Sequence, residues 1–166
     1  MALSATITVD FQAALTRALD LVTGAAPMGY RKSLAFTDGG GANQAQFMFS
    51  DQRTLSASAS EDLDLAGSLT DIYGNTLTFA SVKAMLFFLP STAGGDLTIT
   101  AKASNGFASW VAAAGDAINV KPGGLALFLA PGATGYAVTA GTGDLLTVTN
   151  GDGAASVTYD VIFMGD

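Results

Sequence analysis

Hydrophobic and polar residues alternate along much of the chain, a period of two that is typical of half-buried β-strands. From position 7 to 16 the odd positions hold Ile7, Val9, Phe11, Ala13 and Leu15, and the even positions hold Thr8, Asp10, Gln12, Ala14 and Thr16. This pattern predicts a strand with one solvent-facing side. A helix with Phe11, Leu15, Leu19 and Val22 on one stripe, ending at Gly24, is the alternative. We favour the strand because the β-rich "TITVDF" leads directly into it.

Further strand segments follow at short intervals and are separated by turns that contain Gly, Pro or Asn. They read "YRKSLAF", "QAQFMFS", "TLSASASEDLDLAGSL", "NTLTFASVKAMLFFL", "DLTITAKA", "AINV", "GLALFLA", "YAVTA", "LLTVT" and "SVTYDVIFM". About ten short strands predict an all-β sandwich or barrel. We predict a single domain over residues 1–166, a jelly-roll-like antiparallel β-sandwich. Its last strand is predicted to direct Val157, Tyr159, Val161 and Phe163 into the core.

Two of these segments, "AMLFFL" and "GLALFLA", are apolar at every position. A strand that is apolar on both faces is generally buried on both. In a two-sheet sandwich only one face meets the core, so the other face must be covered by a loop or by another subunit. The pattern therefore favours an oligomer.

Composition and charge exclude several classes of function. The 166 residues are 49% hydrophobic and include 20 Gly, and 14 acidic against 7 basic residues give a net charge of −7. The basic residues do not cluster beyond Arg31 and Lys32, which argues against binding to nucleic acid or to an anionic membrane surface. No apolar run reaches the 18 residues of a candidate transmembrane helix. The N-terminal residues lack the pattern of a signal peptide. With no Cys the chain has no disulfide framework, and synthesis in a reducing cytoplasm is the simplest interpretation.

Few residues are suited to catalysis. The chain has no His and no Cys, and it lacks the nucleophile-elbow, phosphate-loop and dinucleotide patterns. Asp62 and Asp64 would share one face of a strand about 7 Å apart. They could form an acid/base pair or a calcium site, but an amphipathic strand with a solvated face explains them more simply.

A second candidate for calcium is the segment "TNGDGA", which holds Asp152 near Asn150 and Asp144. The spaced acids of an EF-hand loop are missing. Asn-Gly and Asp-Gly are also typical hairpin turns, which is the interpretation we prefer. We therefore expect no catalytic residue, no metal and no cofactor.

Phe107 and Trp110 lie in the Gly- and Ala-rich segment "SNGFASW". They could anchor this segment on the core of the chain, fill a pocket of a neighbouring subunit, or stack on a sugar.

Two long segments resemble small virion structural proteins of tailed bacteriophages. They are "EDLDLAGSLTDIYGNTLTFASVKAM" and "INVKPGGLALFLAPGATGYAVTAGTGDLLTVTNGDGAASVTYDVIFMG". The resemblance extends from about Asp51 to Gly165, and residues 1–50 match loosely. It implies a β-sandwich, often trimeric, that decorates the capsid exterior as a cement protein, and it implies no catalytic or metal-binding residue.

We therefore predict a non-enzymatic virion protein that decorates and stabilises the capsid exterior. It is expected to form a homotrimer and to bind the major capsid protein. The bacterial host cytoplasm is the expected place of synthesis. Candidate residues of the subunit interface are Phe87, Leu89, Phe107, Trp110 and Phe128. The alternatives are a tail or baseplate component and a carbohydrate-binding jelly-roll module centred on Trp110 and Tyr136.

Overall fold

A computed structural model describes residues 2–166, and its regular structure in that range is entirely β. The strands are β1 (Ala5–Ala18), β2 (Thr23–Asp38), β3 (Gln44–Ala45), β4 (Phe47–Leu55), β5 (Ser60–Asp64), β6 (Ser81–Phe88), β7 (Leu97–Ala101), β8 (Ala117–Val120), β9 (Leu125–Leu129), β10 (Tyr136–Ala137), β11 (Leu145–Asn150) and β12 (Val157–Gly165). Neighbouring strands run antiparallel except for the short pair β2 and β3. Residues 2–166 include no helix that is long and apolar enough to cross a membrane.

Two sheets face each other and form the body of the protein. One has the order β10-β6-β12-β4, with β9 also paired to β6, and the other has the order β5-β11-β7-β8. The side chains between them belong to one apolar cluster that includes Phe49, Met85, Phe87, Leu97, Ile99, Val148 and Phe163. The predicted all-β sandwich is therefore confirmed, whereas the jelly-roll order of its connections stays a prediction.

Strand β12 lies at the centre of the first sheet, between β4 and β6. Its odd-numbered residues Val157, Tyr159, Val161 and Phe163 are fully buried between the sheets. This confirms the core positions that the alternation predicts. Phe163 packs edge-on against Phe87, with ring centroids 5.7 Å apart.

The N-terminal residues form a separate long hairpin of β1 and β2. Every residue from Ala5 to Ala18 has a partner in β2, so the strand interpretation is correct and the helix alternative is wrong. The hairpin does not join either sheet of the sandwich but forms a third sheet with β3. Its base is attached to the body, and its distal part extends into solvent.

Two predicted strands are interrupted in the structure. The segment "TLSASASEDLDLAGSL" leaves β4 after Leu55, turns through Ser58 with φ of 56°, and resumes as β5 at Ser60. In "NTLTFASVKAMLFFL" only Ser81–Phe88 forms a strand. Alternation alone predicts one continuous strand across the first of these segments. The reason is that the turn residues 56–59 alternate between Ser and Ala, the same polar and apolar alternation as in the strands on either side.

Strand β9, formed by "GLALFLA", lies at the edge of the first sheet beside β6. Its residues are half-buried at best, and Leu125 is 56% exposed. Burial on both faces, as the apolar composition suggests, is therefore not achieved within the single chain.

Candidate functional site

The most unusual surface of the protein is the distal part of the hairpin, residues 8–33, which we call the arm. All its side chains are exposed, apart from a half-buried position at Gly24. β1 beyond Ile7 is about 35 Å long at about 3.3 Å per residue. Leu21 at the tip is 99% exposed. An isolated two-stranded hairpin is at best marginally stable in water, so a ribbon of this length is expected to have a partner.

The two faces of the arm differ in chemistry. Residues directly opposite each other in an antiparallel pair lie on the same face. One face pairs Val9 with Lys32, Phe11 with Tyr30, Ala13 with Met28, and Leu15 with Ala26. The other face pairs Thr8 with Ser33, Asp10 with Arg31, Gln12 with Gly29, and Thr16 with Ala25. The arm therefore carries one apolar face, whose large side chains are exposed, and one face of polar and small residues.

A second apolar surface lies on the first sheet, on the side that faces away from the core. The register places three rows across β4, β12, β6 and β9: Met48, Met164, Ala84 and Leu129; Ser50, Ile162, Leu86 and Leu127; and Gln52, Asp160, Phe88 and Leu125. We call the half-buried or exposed apolar residues of the last two rows the outer-sheet patch: Ile162, Leu86, Leu127, Phe88 and Leu125. This patch adjoins a shallow depression of about 360 Å³ at Ser50, Gln52, Asp160 and Ile162.

The base of the hairpin already packs on the first row of this sheet face. Phe36 is buried in a small cluster with Ala84 and Met164, and Ile7 and Leu34 pack against the same cluster. Phe36 and Leu34 lie opposite Ala5 and Ile7, so they belong to the apolar face of the hairpin. The same face that contacts the sheet at the base thus continues, uncovered, along the arm.

Charge is distributed unequally between the arm and the body. The four basic residues of the body, Arg53, Lys83, Lys102 and Lys121, all form ion pairs with carboxylates of the same chain. Within residues 2–166, Arg17, Arg31 and Lys32 form none, and all three are on the arm. Among the side chains of residues 2–166, the positive charges without an ion pair are therefore confined to the arm.

The carboxylates singled out in the sequence are occupied by the chain itself. Asp62 accepts hydrogen bonds from Lys102 and from Thr147, which hold the pKa of its carboxyl below the usual value. Asp64 instead accepts from the backbone N–H of Ala66 at 2.9 Å. The structure thus gives the two residues separate structural partners and does not bring them together around a common site.

Glu61, in the same acidic segment, joins the two sheets at one edge of the sandwich. It accepts from Arg53 Nε at 2.7 Å and from the hydroxyl of Tyr159 at 2.8 Å. Burial and the neighbouring Glu61 raise the pKa of Tyr159 above its ordinary value. This arrangement fixes β5 against β4 and β12.

The "TNGDGA" segment is a turn held by side-chain caps. Asn150 Nδ2 donates to the carbonyl oxygens of Ser56 and Ala155, both at 2.9 Å, and its Oδ1 accepts from Asp152 N–H at 2.8 Å. Asp152 Oδ1 accepts from Ala154 N–H at 2.8 Å. Among the described residues, no three His, Cys, Asp or Glu side chains are grouped in a way that could hold a metal ion.

Four of the five predicted interface residues are buried within the single chain, and the fifth, Phe128, is half-buried. Phe87, Leu89 and Phe107 are fully buried, and Trp110 is nearly so. Trp110 Nε1 donates to the Phe107 carbonyl at 2.8 Å, and its ring packs edge-on against half-buried Phe128 at 5.0 Å. Of the three roles open to Phe107 and Trp110, anchoring the segment on the core of the chain agrees with this placement. A subunit contact through these side chains has almost no exposed surface to use.

The sequence interpretation missed the arm as a functional candidate, although the signal was present. The alternation from Ile7 to Leu15 identifies an apolar face, and the structure shows that the core does not cover this face beyond Ile7. The buried Lys83 was missed as well: its Nζ is held by backbone carbonyls of the loop after β9, 3.1 Å from Gly132 O, and lies 3.5 Å from Asp166 Oδ1.

No protein-family model matches the chain, and comparisons with curated proteins and with solved structures find no significant match.

Proposed function

We propose that the protein is a non-enzymatic structural component of a tailed-bacteriophage virion that decorates and stabilises the capsid exterior as an oligomer, with a homotrimer as the expected state. The observation that carries the proposal is the arm, whose apolar face is exposed along its whole length. Surfaces of this kind in a folded protein mark sites of macromolecular contact. The resemblance of residues 51–165 to virion structural proteins supplies the biological setting.

We propose a non-enzymatic role because the acidic side chains that could act in catalysis are hydrogen-bonded to other groups of the same chain. The carboxylates of Asp62, Asp64 and Asp152 bind groups of the same chain. A cleft of about 870 Å³ lies beside the base of the hairpin and is bordered by the exposed side chains of Ile72 and Tyr73. Its acidic residue Asp71 is itself engaged by Asn75 and by the backbone N–H of Tyr73. A protein that uses its side chains for shape and contact suits a structural role.

Purified virions of a phage that encodes this chain provide the direct test. Mass spectrometry of the particles gives the copy number, and an icosahedral reconstruction locates the density of the sandwich. We expect density on the outer surface of the shell, grouped in threes. Density in the tail or baseplate would favour the alternative component, and absence from the particle would overturn the proposal.

The carbohydrate-binding alternative is less well supported, because Trp110 is packed against Phe128 and has almost no ring surface left for a sugar. Binding to a glycan array that is lost in the folded Trp110→Ala variant would reinstate it.

A further inference from the structure

We propose that the apolar face of the arm binds the outer-sheet patch of a second copy of this chain. The inference deepens the proposed function, because it names the contact that would build the oligomer. It assigns a donor surface, which includes Phe11, Leu15 and Tyr30, and an acceptor surface around Ile162 and Leu127. One chain carries both surfaces, so each copy gives one arm and receives one.

The contact at the base of the hairpin shows that the two surfaces fit chemically. There, Ile7, Leu34 and Phe36 of the apolar face pack on the row of the sheet that contains Ala84 and Met164. In β6 and β9 the next two rows of the sheet continue the same apolar character, with Ile162 of β12 beside them, and the arm continues the same apolar face. Within one chain they cannot meet, because the arm leaves the body after Ile7. A second copy can supply the missing half of the contact.

Charge agrees with this pairing. On the apolar face of the arm, Lys32 lies beside Tyr30, with its Nζ 5.9 Å from the ring centroid, and has no carboxylate partner among the described residues. On the outer face of the sheet, Asp160 adjoins Phe88 and Leu125 in the register, and within the described part of the chain its carboxylate accepts a hydrogen bond from the amide of Gln52 at 2.9 Å and has no basic partner. Among the described residues, the apolar face of the arm thus carries two cations without a carboxylate partner, Lys32 and Arg17, and the outer face of the sheet carries a carboxylate without a cation, so the two surfaces are complementary in charge.

The area of a single contact is modest, and closure of a ring doubles the area that each chain buries. A ribbon about 35 Å long and about 10 Å wide presents about 350 Å² on one face. One arm on one acceptor surface therefore buries about 700 Å² in total, below the roughly 1,600 Å² of a standard pairwise interface, and each chain of a closed ring makes two such contacts. Because donor and acceptor surfaces differ, repeated contacts close into a ring when the rotation between copies permits, which is compatible with three copies.

The test is the mass of the purified full-length chain, measured by sedimentation velocity at protein concentrations from about one to about one hundred micromolar. This range of about two decades is wide enough to detect a tenfold change in the dissociation constant. We expect the wild-type chain to associate. Phe11→Asp should weaken association at least tenfold, whereas Gln12→Asp, on the opposite face of the same strand, should leave it unchanged. Both positions are exposed in the single chain, so neither variant is expected to lose its fold.

The acceptor surface is tested in the same way with Ile162→Asp, which should also weaken association at least tenfold. Thr54→Asp, exposed at the far end of the same sheet face, is the matched control. Far-UV circular dichroism and a cooperative melt verify that each variant is folded.

Mixing the two defective variants gives the decisive measurement. Phe11→Asp keeps its acceptor surface and Ile162→Asp keeps its arm, so the mixture can form one intact contact and should yield a two-chain species that neither variant forms alone. A monomeric wild-type chain, an unchanged mass for Phe11→Asp or Ile162→Asp, or failure of the mixture to associate would each overturn the proposal. A monomeric chain whose Phe11→Asp variant fails to enter virions would instead assign the arm to a capsid partner. Because no particle is present in this assay, its outcome is independent of whether the protein is a virion component.

Discussion

Phe11 lies directly opposite Tyr30 on the arm, and the two aromatic side chains are 57% and 53% exposed although they share an apolar face. Aromatic pairs across neighbouring strands normally stabilise a sheet by covering each other and by packing on a core. Phe11 and Tyr30 are paired in this way, but within the described part of the chain no core residues cover their shared face. The arm is therefore a preformed surface whose burial is left to another molecule.

We expect the body to fold without the arm. Replacing residues 9–32 by Asn-Gly, a sequence suited to a tight hairpin turn, joins the paired residues Thr8 and Ser33. Because the removed residues have no buried contact with the body, the melting temperature of the monomeric chain should change by only about 2 °C. Calorimetry at submicromolar concentration measures the change. Loss of the cooperative transition would show that the arm is needed for folding.

Lys83 should contribute much more to stability than an exposed lysine does. Its side chain is 0% exposed and its ammonium is held by the carbonyls of Gly132 and Ala133 and by Asp166. Lys83→Met leaves buried acceptors without a donor and should lower the free energy of unfolding by about 2–4 kcal/mol. Lys102→Met removes the solvent-exposed ion pair with Asp62 and should lower the free energy of unfolding by less than about 1 kcal/mol. Urea denaturation compares the two, and equal effects would contradict the assigned role of Lys83.

Tyr159 should make the protein sensitive to alkaline pH. Burial and Glu61 raise the pKa of its hydroxyl in the folded state. The contribution of this group to the free energy of unfolding is therefore complete below the pKa of about 10 that tyrosine has in the unfolded chain, and it is lost as the pH rises above that value. Tyr159→Phe should cost about 1–2 kcal/mol at pH 7 and remove this alkaline loss. The exposed Tyr73→Phe is the control and should keep the wild-type profile. An unchanged alkaline profile in Tyr159→Phe would refute the assignment.

Chelation should not affect the fold. Asp64 and Asp152 each accept hydrogen bonds from backbone N–H groups of their own turns, which leaves no group of carboxylates directed at a common point among residues 2–166. The melting temperature in excess EDTA and in millimolar calcium should agree to within about 1 °C, because a ligand stabilises only a state that binds it. A fall of many degrees with EDTA would demonstrate a structural metal.

The sequence by itself determined the fold class and much of the core. In β12 the alternation of Val157, Tyr159, Val161 and Phe163 with polar residues predicts the buried face correctly, because side chains of a strand must point to opposite faces in turn. The same reasoning predicts β1 and its apolar face. Turn signals in Gly, Pro and Asn predict most of the strand boundaries, since these residues adopt the backbone conformations that turns require.

Only the tertiary structure decided what lies against each face. Alternation shows that Phe11 and Leu15 share a face, but it does not show that the arm leaves the body and exposes that face. Apolar composition likewise does not reveal that "GLALFLA" is an edge strand, or that Phe87 and Trp110 are already covered by the chain's own core. Local pattern fixes the direction of a side chain, whereas burial depends on pairings between residues far apart in the sequence. The subunit interface is therefore sought on the arm and the outer-sheet patch, where the folded chain leaves apolar surface uncovered.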